Sequence, residues 1–212
     1  MPGNGFNRLT DADKARAQAL YRANALRPHH SMWARVDAYL QKRQRRAIIE
    51  AAEFAPGQRV MDLGAGLGEL AHAAKQAGAY VTALDAVPEA LAQVAPLVDR
   101  TIVADVETFT CAETFDRVLL IGVLDFMANP EAVLHKACAL VKPGGRLVLL
   151  VPTRSLGGLF YLVEKRLKGI RVNLFTPDWC RAVAQNAGLG VLQSMRPLPS
   201  NIMFTFKRPL AS

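Results

Sequence analysis

Between Val60 and Leu70 an apolar run meets a glycine-rich turn, and a helical Ala/Leu pattern follows. Val60-Met61-Asp62-Leu63 reads as a buried strand, Gly64-Ala65-Gly66-Leu67-Gly68 as a tight turn, and Glu69-Leu70 as the start of a helix. Glycines here permit dihedrals closed to other residues and let a ligand approach the main chain. The helix N-terminus then aims free N–H groups at whatever lies above the turn. A strand–turn–helix unit of this kind predicts a doubly wound α/β fold.

The glycine spacing narrows the ligand. A dinucleotide fingerprint reads G-x-G-x-x-G. This chain has G-x-G-x-G, and Glu69 stands where the third dinucleotide glycine belongs. A carboxylate in the first helical turn suits the helix dipole but repels a pyrophosphate. Asp62 adds a second negative charge below the turn. A nucleoside without phosphates fits better than NAD. S-adenosylmethionine (SAM), with its ammonium and sulfonium, matches such a site.

The strand Tyr80–Leu84 ends in Asp85, about twenty positions past the glycine turn, where a carboxylate accepts hydrogen bonds from both ribose hydroxyls. The other reading of Asp85 is an N-cap for the helix near Pro88. Asp105 follows a third short strand, Ile102-Val103-Ala104. Phe115 to Ile121 is a fourth strand, apolar enough to be buried on both faces. Asn129-Pro130-Glu131 starts a helix through Leu140. Residues 141–146, with Pro143-Gly144-Gly145, read as a turn into a fifth strand, Leu147–Val151.

Residues 60–68 resemble motif I of the class I SAM-dependent methyltransferases, and 140–149 resemble the family's L-x-P-G-G-x-L-x-L segment with one extra residue. The resemblance covers about residues 58 to 190. It implies a Rossmann-like, doubly wound, seven-stranded and mostly parallel sheet with an antiparallel last strand. It also implies an N-terminal helical cap over residues 1–56, a SAM-binding domain over 57–212, and a lid insertion, 152–176, after strand 5. By the same resemblance Asp105 meets the adenine amino group, the Val106 N–H meets a ring nitrogen, and Ile121 to Asp125 lie beside the methionyl group. The expected cofactor-binding residues are Asp62, Gly64, Ala65, Gly66, Asp85, Ala86, Asp105, Val106 and Ile121. SAM is the expected co-substrate.

Within the class, the stretch 121–130 and the insertion resemble the methyltransferases of quinone biosynthesis and of magnesium porphyrins. Many of the former carry a Glu-His pair after the fourth strand, near the acceptor and a magnesium ion. Here Asp125 and Phe126 stand there, and Gly122 replaces a further acid, so no metal is expected. The candidate catalytic residues are then His29, His30, Asp125 and Tyr161, with an exposed loop as the alternative for the two histidines. Tyr21, Met32 and Trp33 are further acceptor-site candidates, with core packing as the alternative. One arginine of the cluster 42–46 is a candidate partner for the SAM carboxylate, with a solvated face as the alternative. Methyl transfer from a sulfonium is one in-line displacement, so positioning and exclusion of water supply much of the acceleration.

Charge and composition bear on partners and compartment. The net charge is +8 over 212 residues, with 51% hydrophobic and 21% charged residues. The basic residues concentrate at 42–46 and 165–171, which suits an anionic partner or a solvated basic surface. Base-amino nucleic-acid methyltransferases carry N/D-P-P-Y/F after the fourth strand to hold a flipped base. This chain has Ile121-Gly122-Val123-Leu124 instead, so a small-molecule acceptor is expected and nucleic acid is not. A SAM- or NAD-binding scaffold without turnover is the remaining alternative. Leu156 to Ile170 reads as an amphipathic helix, either a lid over the pocket or a peripheral membrane contact through 156–171. The three cysteines form no C-x-x-C pair, and the N-terminus has no basic-then-apolar order, so the cytoplasm is the expected compartment.

Overall fold

The computed structural model describes residues 9–25 and 32–210. Seven strands form one sheet: β1 (Arg59–Leu63), β2 (Tyr80–Asp85), β3 (Arg100–Val103), β4 (Phe115–Ile121), β5 (Val141–Pro152), β6 (Gly190–Met195) and β7 (Asn201–Lys207). Their order is β3-β2-β1-β4-β5-β7-β6. The first five run parallel, and β7 lies antiparallel between β5 and β6. The expected fold class is borne out.

The period-2 pattern of the central strands sorts side chains between two cores. Val118 and Leu120 of β4, with Leu147 and Leu149 of β5, enter one core with Phe204 and Phe206. The helices α5 (Pro130–Ala139) and α7 (Pro177–Asn186) close that side with Leu134 and Val183. Leu119 and Val148 enter the other core, closed by α2 (Met32–Ala52), α3 (Glu69–Gln76) and α4 (Pro88–Val94) through Ile48, Ala52, Ala71, Ala74 and Leu91. Strand order reverses between β1 and β4, and a doubly wound sheet opens its crevice at such a switch.

Helix ends are set by named side chains. In front of α1 (Asp11–Ala25), the Thr10 N–H donates to Asp13 Oδ2 at 3.0 Å and the Asp13 N–H to Thr10 Oγ1 at 3.3 Å, a capping box. Asn129 and Thr176 cap α5 and α7 by accepting from Ala132 N and Trp179 N. The C-terminus of α2 is held from the sheet. Buried Arg117 of β4 donates to the carbonyls of Ala52 and Glu53, and Arg146 of β5 pairs with Glu53 at 2.8 Å. These contacts fix the end of α2 against β4 and β5.

Two local expectations are corrected. Residues 141–146 are not a free turn but the bulged first half of β5, with a register shift where Phe115 pairs with Val141 and Arg117 with Arg146. Gly144 takes φ +78°, and Arg208 bonds both glycines: its carbonyl accepts from Gly144 N and its N–H donates to Gly145 O, each at 3.0 Å. A Cβ on Gly145 would stand 3.0 Å from the Phe115 carbonyl, so the glycines serve close strand pairing. The insertion helix α6 covers Leu156–Leu167 and stops short of Ile170. Gly169 turns left-handed, the Ile170 N–H reaches back to Lys165 O, and Ile170 itself enters the core. Among the described residues no helix is long and apolar enough to cross a membrane.

Candidate functional site

β1 delivers Asp62 to the mouth of the crevice, and the glycine turn folds over it. The Gly64 and Ala65 N–H groups both donate to the Leu84 carbonyl, at 2.7 and 2.9 Å, stapling the turn to the end of β2. Gly64 has φ +80°, and a Cβ there would lie 2.4 Å from Val123 Cγ2, so a side chain is excluded on two grounds. Asp85 anchors the same turn. One oxygen accepts from Gly66 N and the other from Val87 N, each at 2.9 Å. Each carboxylate oxygen keeps a second lone pair for a ligand hydroxyl. Asp105 accepts from Glu107 N at 2.8 Å, and its other oxygen pairs with the ammonium of Lys14. Lys14 also bonds Glu107 at 2.6 Å.

These groups enclose a cavity of about 430 Å³. Its walls include all nine expected cofactor-binding residues: Asp62, Gly64, Ala65, Gly66, Asp85, Ala86, Asp105, Val106 and Ile121. Volume and lining suit a nucleoside-sized ligand. Asp62 tests the fit to SAM. It is 2% exposed, and its Oδ2 finds no partner among the described residues. Burial, with Asp85 nearby, pushes its carboxyl up to about 7. A buried acid with one unused oxygen is complementary to a ligand ammonium. Glu69 at the rim adds negative charge and is held by Arg45. The donor set therefore fits a cationic nucleoside and disfavours a pyrophosphate.

A second cavity, of about 790 Å³, adjoins the first across Gln41, Glu69, Leu70 and Ile121. α2 supplies Leu40, Gln44, Arg45 and Ile48; α6 supplies Phe160, Tyr161, Glu164 and Lys165, with Lys168 just past its end; Leu198, Ser200 and Asn201 close it. The Tyr161 hydroxyl donates to Asp125 Oδ2 at 2.7 Å. Asp125 is 1% exposed and lines neither cavity; its second oxygen has no partner among the described residues. Burial raises the Asp125 carboxyl to about 6, against the opposing bond from Tyr161 and the charge of Lys165. Burial and Asp125 together hold the Tyr161 phenol above its ordinary value.

Thus two of the four catalytic candidates, Asp125 and Tyr161, come together. His29 and His30 lie outside the described residues, as do the side chains of Tyr21, Met32 and Trp33. Arg45 of the cluster 42–46 faces the second cavity. The sequence reading missed Lys14 and Gln18 of α1, which wall the first cavity. Lys14 meets an acid 93 residues away, and no local pattern in an Ala-rich helix marks such a partner.

Known proteins resemble the chain in sequence and in fold. It is 36% identical over 116 residues to a ubiquinone biosynthesis O-methyltransferase of Xanthomonas campestris, which covers 50% of this chain and 48% of that protein. The chain thus spans about half the length of the curated relatives it matches. In fold it is similar to the magnesium protoporphyrin IX methyltransferase of Synechocystis, with a TM-score of 0.72 at 16% identity over 92% of this chain and 99% of the other. The 1,6-didemethyltoxoflavin-N1-methyltransferase of Burkholderia thailandensis gives 0.68 at 20% identity, over 94% and 89%. A family model for the methyltransferase domain matches residues 32–194, from α2 through the sheet to β6. The chain belongs to the methyltransferase-domain family.

Proposed function

We propose that the protein moves a methyl group from SAM to a small, largely apolar acceptor. The observation that carries this reading is the convergence of nine residues on one cavity whose buried acid, Asp62, keeps an unused oxygen. Asp62 receives the ammonium, Asp85 the ribose hydroxyls, Asp105 the adenine amino group, and the Val106 N–H a ring nitrogen. Gly64, Ala65, Gly66 and Ala86 give the ligand close access to main chain, and Ile121 separates it from the acceptor. Bound there, SAM supplies a sulfonium methyl that bonds to the acceptor's lone pair while the carbon–sulfur electrons return to sulfur.

The chain's own work lies in orientation and proton removal. Ile121 and Leu70 supply the apolar half of the junction between the cavities, alongside Gln41 and Glu69. For a hydroxyl acceptor, the acceptor proton passes to the Tyr161 oxygen as the Tyr161 proton passes to Asp125. The relatives named for ubiquinone and magnesium protoporphyrin support an aromatic or lipophilic acceptor. Residues 1–56 act as the helical cap and 57–212 as the SAM-binding domain.

Peripheral membrane contact is assigned to the outer side of α6. Leu156, Leu159, Val163 and Leu167 form an exposed stripe there, with Leu156 89% and Leu167 85% exposed. Arg166 and Arg171 flank it. Such a face suits the boundary of an anionic bilayer, from which a lipophilic acceptor would enter. The unpaired cysteines fit a reducing cytoplasm.

Calorimetric titration with SAM and with NAD tests the reading, followed by labelled methyl transfer to a panel of phenols, catechols and amines. SAM binding with turnover of at least one acceptor is expected. NAD binding in preference to SAM, or SAM binding without any turnover, would overturn it.

A further inference from the structure

The second cavity mixes apolar and polar walls and carries one more cation than acids. Leu40, Ile48, Leu70, Phe160 and Leu198 line it, together with three cations and two acids. Arg45 is spent on Glu69, and Lys168 on Glu164. That leaves Lys165. It is half-buried, its ammonium stands 5.0 Å above the centre of the Tyr161 ring, and no carboxylate lies within salt-bridge distance among the described residues, although the charges of Asp125 and Glu164 act on it from further away. A ring face attracts an ammonium but does not neutralise it. A partly desolvated cation with no direct ion pair is free to take a counter-ion from the cavity it lines.

We propose that the acceptor is an apolar acid, and that Lys165 binds its carboxylate. The inference rests on the methyltransferase reading above and names the substrate class for that site. Lys165 and Lys168 lie outside the wall shared with the first cavity, which is formed by Gln41, Glu69, Leu70 and Ile121. The carboxylate is therefore an anchor, and the methylated atom is a different group on the same molecule, held toward Ile121. Gln44 and Asn201, bonded to each other at 3.2 Å, and Ser200 add neutral polar groups to the rim. Neutral groups of this kind tolerate a carboxylate and do not compensate a cation.

Three catechols of one size test the charge: caffeate, its methyl ester and dopamine. Each is titrated into the 212-residue protein saturated with S-adenosylhomocysteine, and each is assayed for methylated product with SAM. Caffeate is expected to bind about tenfold more tightly than the ester, with dopamine weakest. Lys165→Met keeps the stem over Tyr161 and removes the charge. It should weaken caffeate about tenfold and leave the ester and SAM unchanged. Lys168→Gln, at a cation already paired, should weaken caffeate less than twofold.

Ester or dopamine binding as tight as caffeate would overturn the proposal. So would an equal loss for all three in Lys165→Met, which marks a structural role, or the failure of all three to bind. SAM affinity is read separately in every variant. A protein that binds no SAM fails the underlying reading, whereas one that binds SAM and ignores charge fails only the acid anchor.

Discussion

The two cavities are built on different principles. The first is made of chain turns at the ends of neighbouring strands, and its polar groups are locked by main-chain bonds: Gly64 and Ala65 to Leu84, Gly66 and Val87 to Asp85. The second is made of side chains from three segments distant in sequence, α2, α6 and 198–201. Its fixed points are side-chain bonds, Tyr161 to Asp125 and Asn201 to Gln44. A site of the first kind is rigid because sheet geometry dictates it. A site of the second kind can change its lining without changing the fold, which leaves room for different acceptors on one scaffold. The division predicts that variants in one cavity move SAM affinity, and variants in the other move turnover.

The largest effect is expected at Asp85. Asp85→Ala removes the acceptor of two loop N–H groups and the expected ribose ligand at once. Two charge-assisted bonds at about 2 kcal/mol each amount to about 4 kcal/mol, roughly a thousandfold in SAM affinity. The fold should survive, since the turn keeps its bonds to Leu84. Calorimetry with circular dichroism checks both halves. Unchanged affinity would break the claim that the first cavity is the cofactor site.

Next comes Tyr161→Phe, which should lower kcat by roughly a hundredfold for a hydroxyl acceptor and leave the SAM Kd within about twofold. Asp125, raised to about 6, must be ionised to take the proton relayed by Tyr161. In the wild type kcat should therefore rise with pH through about 6 and level off above it. Asp125→Asn should lose that rising arm. A fall in SAM affinity in Tyr161→Phe would merge the two cavities into one functional unit.

A tenfold effect per pH unit is expected from Asp62. Its carboxyl stands at about 7 in the ligand-free protein, against about 3.9 in an unfolded chain. A raised carboxyl favours the folded state below about pH 4, and that contribution is lost as pH climbs from about 4 to about 7. Binding an ammonium requires the ionised form, so below about pH 7 binding must release a proton. SAM affinity should then rise with pH up to about 7, by as much as about tenfold per unit. Asp62→Asn should flatten the slope. Titration in buffers of different ionisation enthalpy counts the proton directly, and a wild type that releases none would contradict the assignment of Asp62.

The same contrast explains how much was legible in the residues alone. β1, the glycine turn and Asp85 lie within about 26 positions, and backbone chemistry fixes their relation. Asp62, with Glu69 in place of a glycine, already argued against a pyrophosphate. The apolar run of β4 marked a strand buried on both faces. For the second cavity Tyr161 and the cluster 42–46 stood out singly but not as one site, because Arg45, Tyr161 and Asn201 come to line it only after the sheet has formed. The bulge at Gly144-Gly145 read as a turn because glycine spacing does not tell a reversal from a strand that must approach its neighbour closely. Asp125 sits at the position that suggests a base. Only the fold reveals that it is sealed behind Tyr161, through which the proposed relay would run.

The smallest effect tests whether α1 belongs to the first cavity. Lys14 carries no motif, yet its ammonium bridges Asp105 and Glu107, and Ala17 and Gln18 on the same helix line the wall. The Lys14 side chain is 9% exposed but that of Asp105 is 32% exposed, so solvent screening limits the pair to about 1 kcal/mol. Lys14→Met keeps the aliphatic stem and leaves two acids facing each other. SAM should bind about three- to fivefold more weakly, mainly through faster dissociation as α1 loosens. Raising the salt concentration should weaken the wild type by a similar factor and leave the variant nearly unmoved. Stopped-flow dissociation rates at two ionic strengths decide it. If Lys14→Met instead raises the acceptor KM at constant SAM affinity, then α1 serves the second cavity, and the boundary between the two sites must be redrawn along Gln41 and Leu70.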